Sequence, residues 1–281
     1  MSFKKINPEN IENIRGMIFI NDEIMIKDNE LKNLTWKDFL IPLKIPGTEG
    51  CILLIEEDKS PYNGEQVIFG QWKNINLPEG YRLEKLKFFL PVSQNLIIKN
   101  LSRYKSILNW INTNKFCGCC GSPNRFSDKE EALVCSNTEC GRIIYPRISP
   151  AIITLIHKGS KILLAKHNLR NQEIYTCIAG YVEAGETVEE CVHREVYEEV
   201  GLKIKDLTYA GSQYWPFPDQ IMFAFHCNWA EGEINPDPVE LKEAKWFETG
   251  NLPENIPVPG SVAYNLIKGK FSNKAPDSLH G

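Results

Sequence analysis

The chain has 281 residues, 42% of them hydrophobic, enough to bury two domains or two domains and a small module. Its 36 acidic against 32 basic residues leave a formal charge of −4, which argues against a protein that holds nucleic acid through bulk electrostatics. There is no apolar run of about 18 residues, and the N-terminus Met1-Ser2-Phe3-Lys4-Lys5-Ile6-Asn7 lacks a signal peptide's apolar core, so the expectation is a cytoplasmic protein with no membrane partner.

Residues 1–113 carry short β-like runs at Gly16–Ile20, Cys51–Ile55 and Gln66–Phe69, broken by Pro, Gly and Asn. A helix over Leu96–Asn112 follows, with Leu101, Tyr104, Leu108 and Ile111 on one side. This reads as an α+β domain with a structural or dimerising role, for it shows no chemical constellation.

Five of the nine cysteines crowd between Cys117 and Cys140. In a chain expected in a reducing compartment they are poor candidates for disulfides. Cys117-x₂-Cys120, fourteen intervening residues, then Cys135-x₄-Cys140 has the spacing of a four-thiolate zinc ribbon, here over residues 114–145. Gly118 and Gly121 ease the first knuckle, and Cys119 is the spare thiol. One Zn²⁺ per chain is expected, structural because four sulfurs leave no position for water. Cys51, Cys177, Cys191 and Cys227 sit in apolar company and read as small core residues.

From residue 146 the pattern is that of an α/β domain reaching to 272, with a loose tail at 273–281. Ala151–Ile156 and Ile162–Ala165 form a hairpin around Lys158-Gly159-Ser160, and Tyr175–Ala179 is a short strand feeding a turn at Gly180. A helix over Val188–Val200 is predicted by the Thr187-x-x-Glu190 capping-box spacing and by Gly201 as a left-handed cap. Strands near Leu207–Gly211, Ile221–Cys227 and Ala244–Phe247 and a helix over Val262–Lys268 complete the domain.

The Val188–Val200 helix carries a contradiction. At about 100° per residue Cys191, Val192, Val196 and Val200 share the core side, and Glu195 and Glu199 fall inside that arc, with Glu198 at its edge. An uncompensated buried carboxylate costs several kcal/mol, so something positive belongs there, and carboxylate oxygens suit a hard cation that bridges to phosphates. A solvated charged face explains Glu189 and Glu190; it does not explain carboxylates among valines. Downstream, Ser212-Gln213-Tyr214-Trp215-Pro216-Phe217-Pro218-Asp219-Gln220 alternates aromatics with prolines. That makes either a stiff platform for stacking a planar ring or an aromatic loop plugging the core.

The run from Gly180 through Glu186 and Arg194-Glu195-Val196-Tyr197-Glu198-Glu199-Val200-Gly201-Leu202 resembles a complete Nudix box. The 212–220 segment is similar to the S-Q-P-W-P-F-P-x-S motif of the NADH pyrophosphatase branch of the Nudix hydrolases, with Tyr214 in place of the first proline and Gln220 in place of the final serine. The four-cysteine ribbon and Tyr145-Pro146 belong to the same resemblance. It implies an α/β/α sandwich with a mixed sheet in the C-terminal domain. It also implies Mg²⁺ or Mn²⁺ held by Glu195, Glu199, the neighbouring Glu198, the Ala179 carbonyl and Glu240; among the carboxylates, Glu198 is the expected general base. Gly180, Glu186, Arg194 and Gly201 would be structural, Arg194 orienting the glutamates. Substrate contacts would come from Glu130, Tyr145, Tyr181, Gln213, Tyr214, Trp215, Pro216, Phe217, Pro218, Asp219, Gln220 and Ala263, and the protein would be a homodimer. The implied reaction is hydrolysis of the pyrophosphate bond of NAD(H) to NMN(H) and AMP, or of the NAD cap of an RNA 5′ end. The alternatives are another nucleoside diphosphate substrate, such as ADP-ribose, or a nucleotide sensor without turnover.

Overall fold

A computed structural model describes residues 3–5, 15–21, 23–28, 35–42, 52–56, 67–72, 77, 79–90, 95–168 and 173–271. The chain divides into two compact units, Met1–Arg147 and Ile148–Gly281. Among the described residues no helix is long and apolar enough to cross a membrane.

In the first unit, β1 (Phe3–Lys5), β2 (Arg15–Ile20), β3 (Glu23–Lys27), β4 (Ile41–Pro42), β5 (Ile52–Glu56), β6 (Val67–Trp72) and β7 (Tyr81–Lys85) form a mixed sheet in the order β1-β5-β6-β2-β3-β7, with β4 beside β2. Helix α1 (Asn95–Thr113) buries Leu101, Tyr104, Leu108 and Ile111, as its periodicity predicts, and Tyr104 stacks on Phe69 of β6 at 4.2 Å between centroids. After α1 come β8 (Asn124–Phe126), β9 (Leu133–Cys135) and β10 (Ile143–Ile144), a three-stranded antiparallel sheet with Cys117, Cys119 and Cys120 ahead of β8, Cys135 at the end of β9 and Cys140 between β9 and β10. The Cys51 and Gln66 ends of two predicted strands, and the tail at 273–281, lie outside the described residues.

The second unit is built on β11 (Ser149–Lys158). It pairs in parallel with β15 (Gln220–Glu231) and antiparallel with β12 (Lys161–His167) and β13 (Ile178–Tyr181). With β14 (Lys203–Trp215) and β16 (Leu241–Glu248) the sheet order is β14-β15-β11-β12-β16. Strand alternation decides the layers. Ile152 and Ile156 face a core shared with Cys191, Val192, Val196 and Val200 of α2 (Val188–Val200), while Ala151, Ile153 and Leu155 face one shared with Val262, Leu266 and Ile267 of α3 (Val262–Ile267). A helix on each face of a mixed sheet is the sandwich that the resemblance implies.

Three expectations shift. The strand predicted at Tyr175–Ala179 lies at Ile178–Tyr181, because Thr176 is spent on an isolated bridge to Ala165. The short strands at Leu207–Gly211 and Ile221–Cys227 are the middle of one long hairpin, β14–β15, whose register slips at Lys203/Ile204, Lys205/Thr208 and Tyr209/Gly211. Consequently Ser212–Trp215 is strand and Gln220 opens the returning strand, so the aromatic-proline motif is the tip of that hairpin rather than an extended platform.

Candidate active site

Helix α2 begins and ends as its sequence dictates. Thr187 Oγ1 accepts from the Glu190 N–H at 3.2 Å while the Glu190 carboxylate accepts from the Thr187 N–H at 2.8 Å. Gly201, at φ 71°, closes the other end through its N–H to the Tyr197 carbonyl. The helix phase therefore holds: Glu199 is 2% exposed, and the Glu195 side chain 12%, against 57% for Glu198.

Room for the Glu195 carboxylate comes from Gly180. A Cβ at that position would lie 1.9 Å from Glu195 Cδ, so the strand end must be glycine for the carboxylate to lie against it. Arg194 ties the cluster together. Its guanidinium forks onto Glu186 at 2.7 and 2.9 Å and reaches Glu195, Glu198 and the Tyr181 carbonyl, each at 2.9 Å. The Arg194 hydrogen bonds hold the Glu186 carboxyl down to about 2. Burial pushes Glu195 the other way; Arg194 opposes the rise, and the charges of Glu198 and Glu240 add to it. The Glu240 charge that reaches Glu195 comes from the exposed turn before β16.

The turn itself is held from two sides. The Asp237 N–H donates to the Glu199 carbonyl at 2.9 Å, and the Asn168 N–H donates to the Glu240 carbonyl at 2.8 Å. The donor set is all oxygen, closed at Glu199 and open to solvent at Glu198 and Glu240. Burial disfavours the charged form of Glu195, a bias a hard divalent cation would reverse. These residues fit such an ion.

The residues expected to meet substrate fall into separate groups. Tyr181 and Gln220 touch through the tyrosine hydroxyl and the glutamine amide. Tyr214 donates to Asp219 at 3.3 Å, Trp215 and Phe217 meet edge to face at 5.3 Å, Pro216 is buried and Pro218 exposed. Gln213 spends its amide internally, donating to the Gly260 carbonyl at 2.9 Å and accepting from the Val262 N–H at 2.7 Å. Ala263 is buried in the α3 core, and Ala179 packs against the same core. Glu130 and Tyr145 belong to the first unit, where the Tyr145 hydroxyl donates to Glu130 at 3.1 Å.

Also in that unit, the sulfurs of Cys117, Cys120, Cys135 and Cys140 all lie within 4.8 Å of one another. The Cys117–Cys140 and Cys120–Cys135 separations are 3.8 and 3.4 Å, close to the roughly 3.8 Å between sulfurs placed tetrahedrally about 2.3 Å from zinc. Cys119 is exposed and contributes only its N–H, to Cys117 Sγ at 3.4 Å. The four thiols fit a closed zinc site.

The NUDIX domain model matches residues 146–263. The NAD-capped RNA hydrolase NudC of Stutzerimonas stutzeri is 38% identical over 235 residues, spanning 83% of this chain and 81% of that protein. The chain belongs to the NADH pyrophosphatase branch of the Nudix hydrolases. Its likeness to the enzyme of the same name from Pseudomonas syringae pv. tomato is 35% over 214 residues, 76% of each chain. For Klebsiella pneumoniae it is 46% over 156 residues, 56% of this chain and 60% of the relative. Nudix hydrolases need a divalent metal.

Sequence reasoning missed Asn168. An asparagine after a strand reads as ordinary turn chemistry, and its partners lie some 70 residues away in sequence.

Proposed function

We propose that the chain hydrolyses the pyrophosphate bond of NAD(H), giving NMN(H) and AMP, and cuts the same bond when NAD caps an RNA 5′ end, giving NMN and 5′-monophosphate RNA. One observation carries this: Glu195 and Glu199 are inserted among the core valines of α2, one of them against a glycine, with Glu198 and Glu240 opening the cluster to solvent. A helix that needed only solubility would place its carboxylates opposite the valines.

When bound, Mg²⁺ or Mn²⁺ supplies charge neutralisation on the diphosphate and lowers the pKa of a water. Glu195, Glu199, Glu240 and the Ala179 carbonyl are the residues to hold it. Arg194 fixes where the Glu195 and Glu198 carboxylates point, and the solvent-facing Glu198 takes the proton of the attacking water. Tyr181, with Gln220 on its hydroxyl, offers an exposed ring at this end of the sheet for a base to stack on. Residues 114–145 form a ribbon with one structural Zn²⁺, and a reducing cytoplasm suits its thiolates. Residues 1–113 are read as a structural or dimerising domain and the assembly as a homodimer.

The test incubates purified protein with NADH, NAD⁺, ADP-ribose, a dinucleoside polyphosphate and NAD-capped RNA, each with Mg²⁺ or Mn²⁺. Products are identified by chromatography and mass, with Glu199→Gln as control. NMN(H) and AMP, or NMN and monophosphate RNA, are the expected products. Binding of these ligands with no turnover would make the protein a sensor and overturn the reading.

A further inference from the structure

Among the described residues, the turn that carries Glu240 is held from the end of another strand by the side chain of Asn168. Asn168 is the first residue past β12, where pairing with β16 slips: Lys166 lies opposite Glu243 and His167 opposite Leu241, so the register skips Lys242. The slip brings Asn168 to the carbonyls that precede β16. Its side-chain amide donates to the Pro238 carbonyl at 2.8 Å and the Val239 carbonyl at 3.2 Å, and its N–H donates to the Glu240 carbonyl at 2.8 Å. One residue thus serves three successive carbonyls.

The far side of the same turn is tied to α2. The Asp237 N–H donates to the Glu199 carbonyl at 2.9 Å, the Asp237 carboxylate accepts from the Val239 N–H at 2.8 Å, and the Leu241 N–H closes onto the Asp237 carbonyl at 2.8 Å. The turn is strung between the helix bearing Glu195 and Glu199 and the Asn168 amide. It is exposed, with little packing of its own, so hydrogen bonds must fix it.

We propose that Asn168 is a positioning residue for Glu240: it fixes the distance of that carboxylate from the helix glutamates and so sets the affinity for the divalent ion. The inference rests on the reading of Glu240 as a metal ligand. Loss of hydrogen bonds that orient a ligand typically weakens metal binding by 10–100-fold. The side-chain amide is absent from alanine, whereas the main-chain bond survives.

The experiment is Mn²⁺ binding to the full-length protein without substrate, followed by the paramagnetic resonance of free Mn²⁺, for wild type, Asn168→Ala, Glu240→Gln and the double variant. Thermal melting of the metal-free proteins accompanies it. Asn168→Ala is expected to raise the Kd about tenfold in the wild-type background and less than about twofold in the Glu240→Gln background, because coupled residues are non-additive. Asn168→Ser, which keeps a short donor, should fall between, and it carries the test if the alanine variant melts early. An equal loss in both backgrounds, or no loss from Asn168→Ala while Glu240→Gln weakens binding, overturns the inference alone. An unaltered Kd in Glu240→Gln overturns the reading of Glu240 itself.

Discussion

The four thiols of the ribbon and the carboxylates of α2 are both clusters of metal-type donors, and they are assembled in opposite ways. The sulfurs come from one short stretch, 117–140, face one another within 4.8 Å, and leave no outlet. The carboxylates come from a helix and from a turn beyond the next two strands, are steered by Arg194, and run from the buried Glu199 to the exposed Glu198 and Glu240. A closed set of soft donors turns metal affinity into folding energy. An open set of hard donors leaves sites for substrate oxygen and water.

The contrast makes the two clusters separable by substitution. Glu199→Gln should cost roughly 10²–10⁴ in kcat, the scale of several kcal/mol of lost charge stabilisation, while the metal-free protein melts within a few degrees of wild type. A large fall in the melting midpoint would mean that the carboxylate serves the fold instead. Cys135→Ser should do the reverse in kind: zinc content drops from one per chain to none and the ribbon loses its thermal transition, since on the order of 10 kcal/mol of zinc binding is folding free energy. Cys119→Ser should keep both; loss of zinc there would break the four-ligand assignment.

Gly180→Ala sharpens the catalytic side. The added Cβ must displace the Glu195 carboxylate, and misplacement by about 1 Å can cost about 10²-fold in rate. Unchanged turnover would show that Glu195 is not needed where it sits.

The smallest effect is a pH dependence. The Glu186 carboxyl is depressed from 4.5 to about 2 by Arg194. Its stabilising contribution is therefore fully present above pH 4.5 and lost as pH falls through 2. Glu186→Gln should melt below wild type at pH 6, and the gap should narrow steadily on acidification. A gap independent of pH would detach that ion pair from stability.

Much of this was legible from local spacing. A 3.6-residue period put Glu195 and Glu199 among valines, the Thr187-x-x-Glu190 spacing and Gly201 fixed the two ends of α2, and cysteine intervals named the four converging sulfurs. What was illegible depends on distant partners. Prolines and the slipped registers of β14–β15 made one long hairpin look like two short strands. The amide of Gln213 is engaged with Gly260 and Val262 and Ala263 is packed in the α3 core, partners that no local spacing announces. Asn168 gave no signal, because nothing in a turn sequence says which carbonyls of a distant turn will come to lie beside it.

The Gln213 clamp also bears on which mutations the gene can tolerate. Main-chain polarity fixes the amide's orientation, since a carbonyl must receive the NH₂ and an N–H must meet the oxygen. Glutamate, a single-nucleotide change away, has nearly the same shape. It could still accept from Val262, but its second oxygen would confront the Gly260 carbonyl, lone pair against lone pair. At this position the choice between two almost isosteric side chains turns on one hydrogen-bond donor, and a substitution that looks conservative on paper would pry the loop ahead of α3 away from the hairpin.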